Sequence, residues 1–197
     1  TEVNDLNTAR YLGSGSGTAT AGLAYGGYST TTVGAAEEWT ADAAVGAWAT
    51  GPSTNVAKYA MGSAGNNTSG MIFGGQTPGT TYLTQTETWD GSSWTEVSDL
   101  TTARDLMGGA GASNTACLAW GGRESNPTAS AKTESWNGSA WTEVNDLNAV
   151  KEAMASTTGA PYTAALTFGG AAIPLPNTAK SETESWNGTS WTEVADL

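Results

Sequence analysis

Few side chains in this 197-residue sequence are suited to chemistry, and the informative ones keep step with one another. Four glutamates, Glu37, Glu87, Glu134 and Glu184, recur at spacings of 50, 47 and 50 residues, and four cations, Arg10, Lys58, Arg104 and Lys151, recur at 48, 46 and 47. There is no histidine and one cysteine, Cys117. Zinc and copper sites, Ser-His-Asp triads and Cys-His nucleophiles therefore lack their essential residues. The catalytic chemistry left open is a carboxylate-only one, in which two acids act on a glycosidic bond. Such a pair needs two carboxylates in unlike environments, whereas a repeat makes its glutamates alike. The eight periodic charges are thus expected to form ion pairs or charged hydrogen bonds that tie neighbouring units together, the glutamate on one strand and the cation near the start of another. A charged rim around a central channel is the functional alternative. Asp90, Asp99, Asp146 and Asp196 show no spacing that resembles a calcium loop. The run Gly13 to Gly17 lacks the lysine of a phosphate loop. No cofactor is expected.

The elements that position these charges follow from self-similarity. The stretch Thr133 to Leu147, TESWNGSAWTEVNDL, returns as Thr183 to Leu197 and as Thr86 to Leu100, and in eroded form around Glu37, Trp39 and Trp48. A fixed period of this size marks a repeat architecture. A Gly-Gly pair preceded by an aromatic also recurs, at Gly26-Gly27, Gly74-Gly75, Gly121-Gly122 and Gly169-Gly170, after Tyr25, Phe73, Trp120 and Phe168. Each reads as a short apolar strand ending where the chain must turn with positive φ. Between paired tryptophans lie Asp90-Gly91, Asn137-Gly138 and Asn187-Gly188, strong hairpin signals. In the first copy, eight residues separate Trp39 from Trp48, which gives that unit a longer outer loop.

Each unit therefore reads as four short strands: a small-residue strand, an apolar strand ending in Gly-Gly, a Glu-x-Trp strand and a Trp-Thr-Glu-Val strand. No window carries a helical apolar stripe. The expected fold is all-β, a β-propeller of four-stranded antiparallel blades with four repeats in the chain. The expected boundaries are 1–6 for a partial outer strand, then blades at 7–54, 55–100, 101–147 and 148–197. Glycine and alanine should line the hub, and indoles should fill the wedges between blades.

The combination of aromatic-Gly-Gly, a variable loop, an aromatic, a turn and a tryptophan resembles the kelch repeat across all four units. Kelch repeats form four-stranded propeller blades, with Gly-Gly closing the second strand and tryptophan opening the fourth. Those roles would fall to the four Gly-Gly pairs and to Trp48, Trp94, Trp141 and Trp191. The sequence departs from the pattern in having Trp39, Trp89, Trp136 and Trp186 where tyrosine is usual, and, outside the first unit with its Pro52, in lacking proline after the fourth strand. Similar Thr/Ser/Gly-rich acidic repeats occur in marine bacteriophage and bacterial surface proteins. Copper radical oxidases of the kelch type need histidine ligands, which this chain lacks, and the Asp-Gly turns do not keep the spacing of a sialidase Asp-box.

A formal net charge of −12 repels a phosphate backbone, so no nucleic-acid partner is expected. No apolar run is long enough to cross a membrane as a helix. Cys117 lies in an apolar run and reads as a small core residue. The absence of an initiator Met, together with the start partway through a repeat, suggests a processed product or a segment of something longer. Stretches that escape the repeat should carry recognition. They lie after each Gly-Gly pair and include Gln76, Tyr82, Arg123, Glu124, Ile173 and Leu175, with Ile173-Pro174-Leu175-Pro176 the most apolar. Leu6 and Leu197 end equivalent strands and would compete for one position in a closed ring. A longer array, a spare strand, or strand addition to a neighbouring chain would each resolve this. The expected function is a non-catalytic extracellular structural or binding module, on a virion appendage or cell surface, with a protein or surface glycan as partner. The alternatives are a lectin-like glycan binder and a carboxylate-only carbohydrate-active enzyme.

Overall fold

The computed structural model describes residues 5–41, 46–157, 160–172 and 178–196, and all regular structure in them is β. The first sheet is a meander of β1 (Ser14–Gly17), β2 (Ala21–Tyr25), β3 (Ala36–Thr40) and β4 (Ala47–Gly51). The second uses β5 (Gly62–Asn66) and β6 (Ser69–Phe73), then the small hairpin β7 (Gln76–Thr77) and β8 (Thr81–Tyr82), then β9 (Thr86–Trp89) and β10 (Trp94–Val97). The third repeats this with β11 (Gly108–Ser113), β12 (Ala116–Trp120), the hairpin β13 (Arg123–Ser125) and β14 (Thr128–Ala129), β15 (Thr133–Trp136) and β16 (Trp141–Val144). The fourth has β17 (Ala155–Ser156), β18 (Leu166–Phe168), the hairpin β19 (Ala171–Ala172) and β20 (Thr178–Ala179), β21 (Thr183–Trp186) and β22 (Trp191–Val194). Every pairing is antiparallel and every four-stranded sheet takes its strands from one contiguous stretch. The expected partial strand at 1–6 is not formed where it is described, since Asp5 and Leu6 belong to no strand; Thr1 to Asn4 and Leu197 lie outside the described residues.

Local chemistry explains the meander. Trp39 faces Trp48, Trp89 faces Trp94, Trp136 faces Trp141 and Trp186 faces Trp191 directly across their hairpins. In the turn between the third pair, Asn137 Oδ1 accepts the N–H groups of Ser139 and Ala140, both at 3.0 Å, closing an Asx turn. Gly26 and Gly27 have φ of 60° and 106°, and a Cβ on Gly26 would sit 2.8 Å from the Lys58 carbonyl oxygen. That corner accepts no side chain, because the connector into the next sheet passes directly over it.

Three apolar cores lie between successive sheets, and among the described residues none joins the fourth sheet to the first. Each is built on one contact: the tryptophan opening a fourth strand meets, roughly edge-on, the aromatic ahead of the previous sheet's Gly-Gly. Ring centroids are 5.3 Å apart for Tyr25 and Trp94, 5.1 Å for Phe73 and Trp141, and 5.1 Å for Trp120 and Trp191. Each indole removes about 150–250 Å² from water and each aromatic pair adds about 0.5–1.5 kcal/mol beyond that area. The small-residue strands of neighbouring sheets approach closely: a Cβ on Gly109 would lie 2.4 Å from the Ser63 carbonyl oxygen, and the Ser14 and Ser63 hydroxyls are 2.6 Å apart. Beside them, Leu12, Ala60, Leu106 and Ala153 all adopt the left-handed conformation, with φ of 52°, 54°, 52° and 51°. A staircase of backbone hydrogen bonds links them, from Ala60 N–H to Leu12 O (2.8 Å), Leu106 N–H to Ala60 O (2.8 Å) and Ala153 N–H to Leu106 O (3.0 Å).

Candidate binding surface

The periodic charges meet, but within units and not between them. Arg10 pairs with Glu37, Lys58 Nζ lies 3.4 Å from Glu87, Arg104 Nη2 is 2.7 Å from Glu134, and Lys151 Nζ is 2.8 Å from Glu184. The expected inter-blade ion pairs are therefore corrected to intra-unit pairs. The reason is the path of the connector: on leaving one sheet it crosses the third strand of the sheet it is about to enter, carrying its cation onto that strand's glutamate. The same carboxylate grips the connector backbone, accepting the N–H of Asn55 (2.6 Å), Thr101 (2.7 Å) or Asn148 (2.8 Å). Arg104 also donates to the carbonyls of Gly121 and Lys132, both at 2.7 Å. Burial pushes the Lys58 and Arg104 pKa values down, while the facing glutamates pull them up. All four glutamates are buried, so no oxygen of theirs faces solvent.

A different set of residues gathers at one end of the sheets, with Tyr11 exposed, Tyr28, Tyr59 and Arg123 half-buried, and Gln76, Asp105 and Glu152 buried. In each unit the residue after the cation bridges to the residue after Gly-Gly, pairing Tyr11 with Tyr28, Tyr59 with Gln76, Asp105 with Arg123 and Glu152 with Ala171. These pairs follow one another across one end of the sheets. Tyr11 packs on Tyr28 at 5.5 Å and Tyr28 on Tyr59 at 5.4 Å, both edge-to-face. Tyr59 Oη donates to Gln76 Oε1 at 2.9 Å. Arg123 stands 5.6 Å over the Tyr82 ring and grips Asp105 with Nε and Nη2 at 3.1 and 2.7 Å. Its Nε is 3.6 Å from Glu152 Oε2, too long for a hydrogen bond.

The row thus passes from aromatic to ionic. Tyr11 is 58% exposed, and a cleft of about 290 Å³ opens among Tyr11, Leu12, Tyr28, Tyr59, Pro78 and Gly79. Burial raises the pKa of Asp105 and of Glu152, and Arg123 opposes both shifts. Desolvation raises the Tyr59 and Tyr82 phenols, and donating hydrogen bonds to Asp105 raises the Arg123 guanidinium. The chemistry on offer is stacking on phenol faces beside a partly exposed guanidinium.

Of the residues singled out in the sequence, Gln76, Tyr82 and Arg123 come together here. Glu124 turns elsewhere, accepting from Ser130 Oγ at 2.8 Å with Lys132 Nζ at 3.2 Å. Ile173 and Leu175 lie outside the described residues. Sequence reasoning missed Tyr11, Tyr28, Tyr59, Asp105 and Glu152. The available signal was that the position after each repeated cation reads Tyr, Tyr, Asp and Glu in turn. Among the described residues no cluster of His, Cys, Asp and Glu has metal-binding geometry. Compared with models of known protein families and with curated proteins, the chain has no match to either.

Proposed function

We propose that the chain is a non-catalytic binding module whose four sheets are blades of a kelch-like β-propeller, and that it recognises its partner with the row from Tyr11 to Glu152. One observation carries this reading: side chains that repeat from unit to unit are spent inside the scaffold, while those that vary are collected at one end of it. The propeller assignment rests on the shared staircase of Leu12, Ala60, Leu106 and Ala153, one step per sheet. Placement outside the cytoplasm, on a virion or cell surface, rests on the resemblance of the repeats and on the acidic, polar composition.

The tyrosine cleft favours a surface glycan over a flat protein epitope. Phenol faces stack on the apolar faces of pyranose rings, and the partly exposed Arg123 supplies a hydroxyl partner beside them. Glycan-array binding of the intact chain is the test, with Tyr11→Ala and Tyr59→Ala as probes. The expected loss is at least about 10-fold in affinity, equivalent to about 1.4 kcal/mol. Glycan binding that is unchanged in both variants refutes the assignment of the surface, and sugar turnover abolished by Glu152→Gln would make the module an enzyme.

A further inference from the structure

The two end sheets carry the two halves of an interface that the chain builds three times internally. At each internal junction the earlier sheet offers an aromatic ring and a glycine N–H, joined at the second and third junctions by a threonine hydroxyl, and the later sheet answers with a tryptophan and a backbone carbonyl. Thr86 Oγ1 accepts from Trp141 Nε1 and Thr133 Oγ1 from Trp191 Nε1, both at 3.0 Å. The second glycine of each pair donates to the carbonyl of the next unit's cation: Gly27 to Lys58 at 3.0 Å, Gly75 to Arg104 at 2.8 Å and Gly122 to Lys151 at 2.9 Å.

Among the described residues the fourth sheet presents the same outgoing set with no sheet against it. Phe168 is only half-buried, in contrast to Tyr25, Phe73 and Trp120, which are fully buried. Thr183 occupies the register position of Thr86 and Thr133, opposite the aromatic of the second strand. Among the described residues neither the Gly170 N–H nor the Ala153 carbonyl has a backbone partner of the kind its counterparts have. The first sheet presents the incoming set. Trp39 and Trp48 are half-buried and line an open apolar cleft of about 180 Å³ with Thr18, Ala19 and Gly22. Among the described residues the Arg10 carbonyl and the Leu12 N–H have no backbone partners of the kind their counterparts have. Leu6 holds the position from which Leu100 and Leu147 press on Gly74 and Gly121. One piece is missing: Met61, Met107 and Met154 touch the glycine corners of the preceding sheets, and the first unit has Gly13 at that position.

We propose that the Trp39/Trp48 face docks a second copy of this chain, head to tail, receiving that copy's Phe168, Thr183 and Gly170. The occupant is identified by five complementary contacts at once: ring against indole, hydroxyl against indole N–H, leucine against Gly169, and two backbone donors against two backbone carbonyls. Two such copies satisfy each other's open faces reciprocally. This association is independent of the row at Tyr11 to Glu152, so either conclusion stands if the other fails.

Gel filtration with light scattering over a dilution series tests it. The expected mass is twice the 20.0 kDa of one chain. Trp48→Glu and Phe168→Glu alter half-buried surface positions, so each variant should keep the β circular dichroism spectrum and run as a monomer. Mixing the two is expected to restore a dimer, because each variant retains the face that the other has lost. A wild-type chain that stays monomeric at its highest soluble concentration overturns the proposal. So does a dimer that persists in both folded variants.

Discussion

Ala36 gives the most direct test of how the sheets are held together. It occupies the position of Thr86 and Thr133, whose hydroxyls accept the indole N–H of the following sheet at 3.0 Å. With alanine there, Trp94 Nε1 is buried without any acceptor, although its ring packs on Tyr25 as the others pack on theirs. An unsatisfied buried donor costs about 1–3 kcal/mol, and a made hydrogen bond contributes about 0.5–1.5 kcal/mol net. Ala36→Thr is therefore expected to stabilise the protein by about 1–2 kcal/mol, after part of the gain is lost to fitting an added methyl into a buried site. For a chain of this size each kcal/mol raises Tm by about 2–4 °C. Thr86→Val is the mirror experiment: it keeps the shape, orphans Trp141 Nε1, and is expected to lose about 1–3 kcal/mol. Urea unfolding followed by tryptophan fluorescence reads both. An Ala36→Thr protein no more stable than wild type, alongside a Thr86→Val protein unchanged within error, would show that these hydrogen bonds do not hold the junctions and would refute the reasoning.

Further expectations concern the scaffold. Glu134→Gln leaves Arg104 charged and buried without its counter-ion and is expected to lose about 3–5 kcal/mol, whereas Glu143→Gln, on the exposed strand opposite, changes stability by less than about 0.5 kcal/mol. Burial pushes the Cys117 thiol up to about 12, so in native protein it should resist iodoacetamide at pH 8 and react only as fast as the chain unfolds. Asp90 is held at about 2, below its ordinary 3.8, first by hydrogen bonds from Ser92 and then from Ser93. Because its folded pKa is depressed, its contribution is complete above 3.8 and is lost as pH falls through about 2. Asp90→Asn should make the turn as Asn137 does and flatten stability against pH in that window, as followed by acid titration of the fluorescence signal.

Strand order, Gly-Gly corners and tryptophan hairpins were legible because each is written in local chemistry: recurring short small-residue and apolar runs, positive φ, and an Asx turn between facing indoles. Partner choice among the charges was not. Arg10 precedes Glu37 by 27 residues and Lys58 follows it by 21, so spacing alone allows either neighbour to be its ion-pair partner. The route of the connector over the third strand decides between them. The surface row was hidden for another reason. Its direction is set by the left-handed turn at Leu12, Ala60, Leu106 and Ala153, and leucine and alanine carry no signal for that conformation. Tertiary hydrogen bonds impose it, and these become visible only when adjacent units are assembled.

Every sheet draws its strands, its corner glycines and its buried ion pair from one uninterrupted segment. A duplication or deletion of one such segment in the gene would add or remove a whole unit with its own buried ion pair intact. The number of units is accordingly open to change by recombination alone, while the variable tip positions travel with each unit and can be shuffled as cassettes.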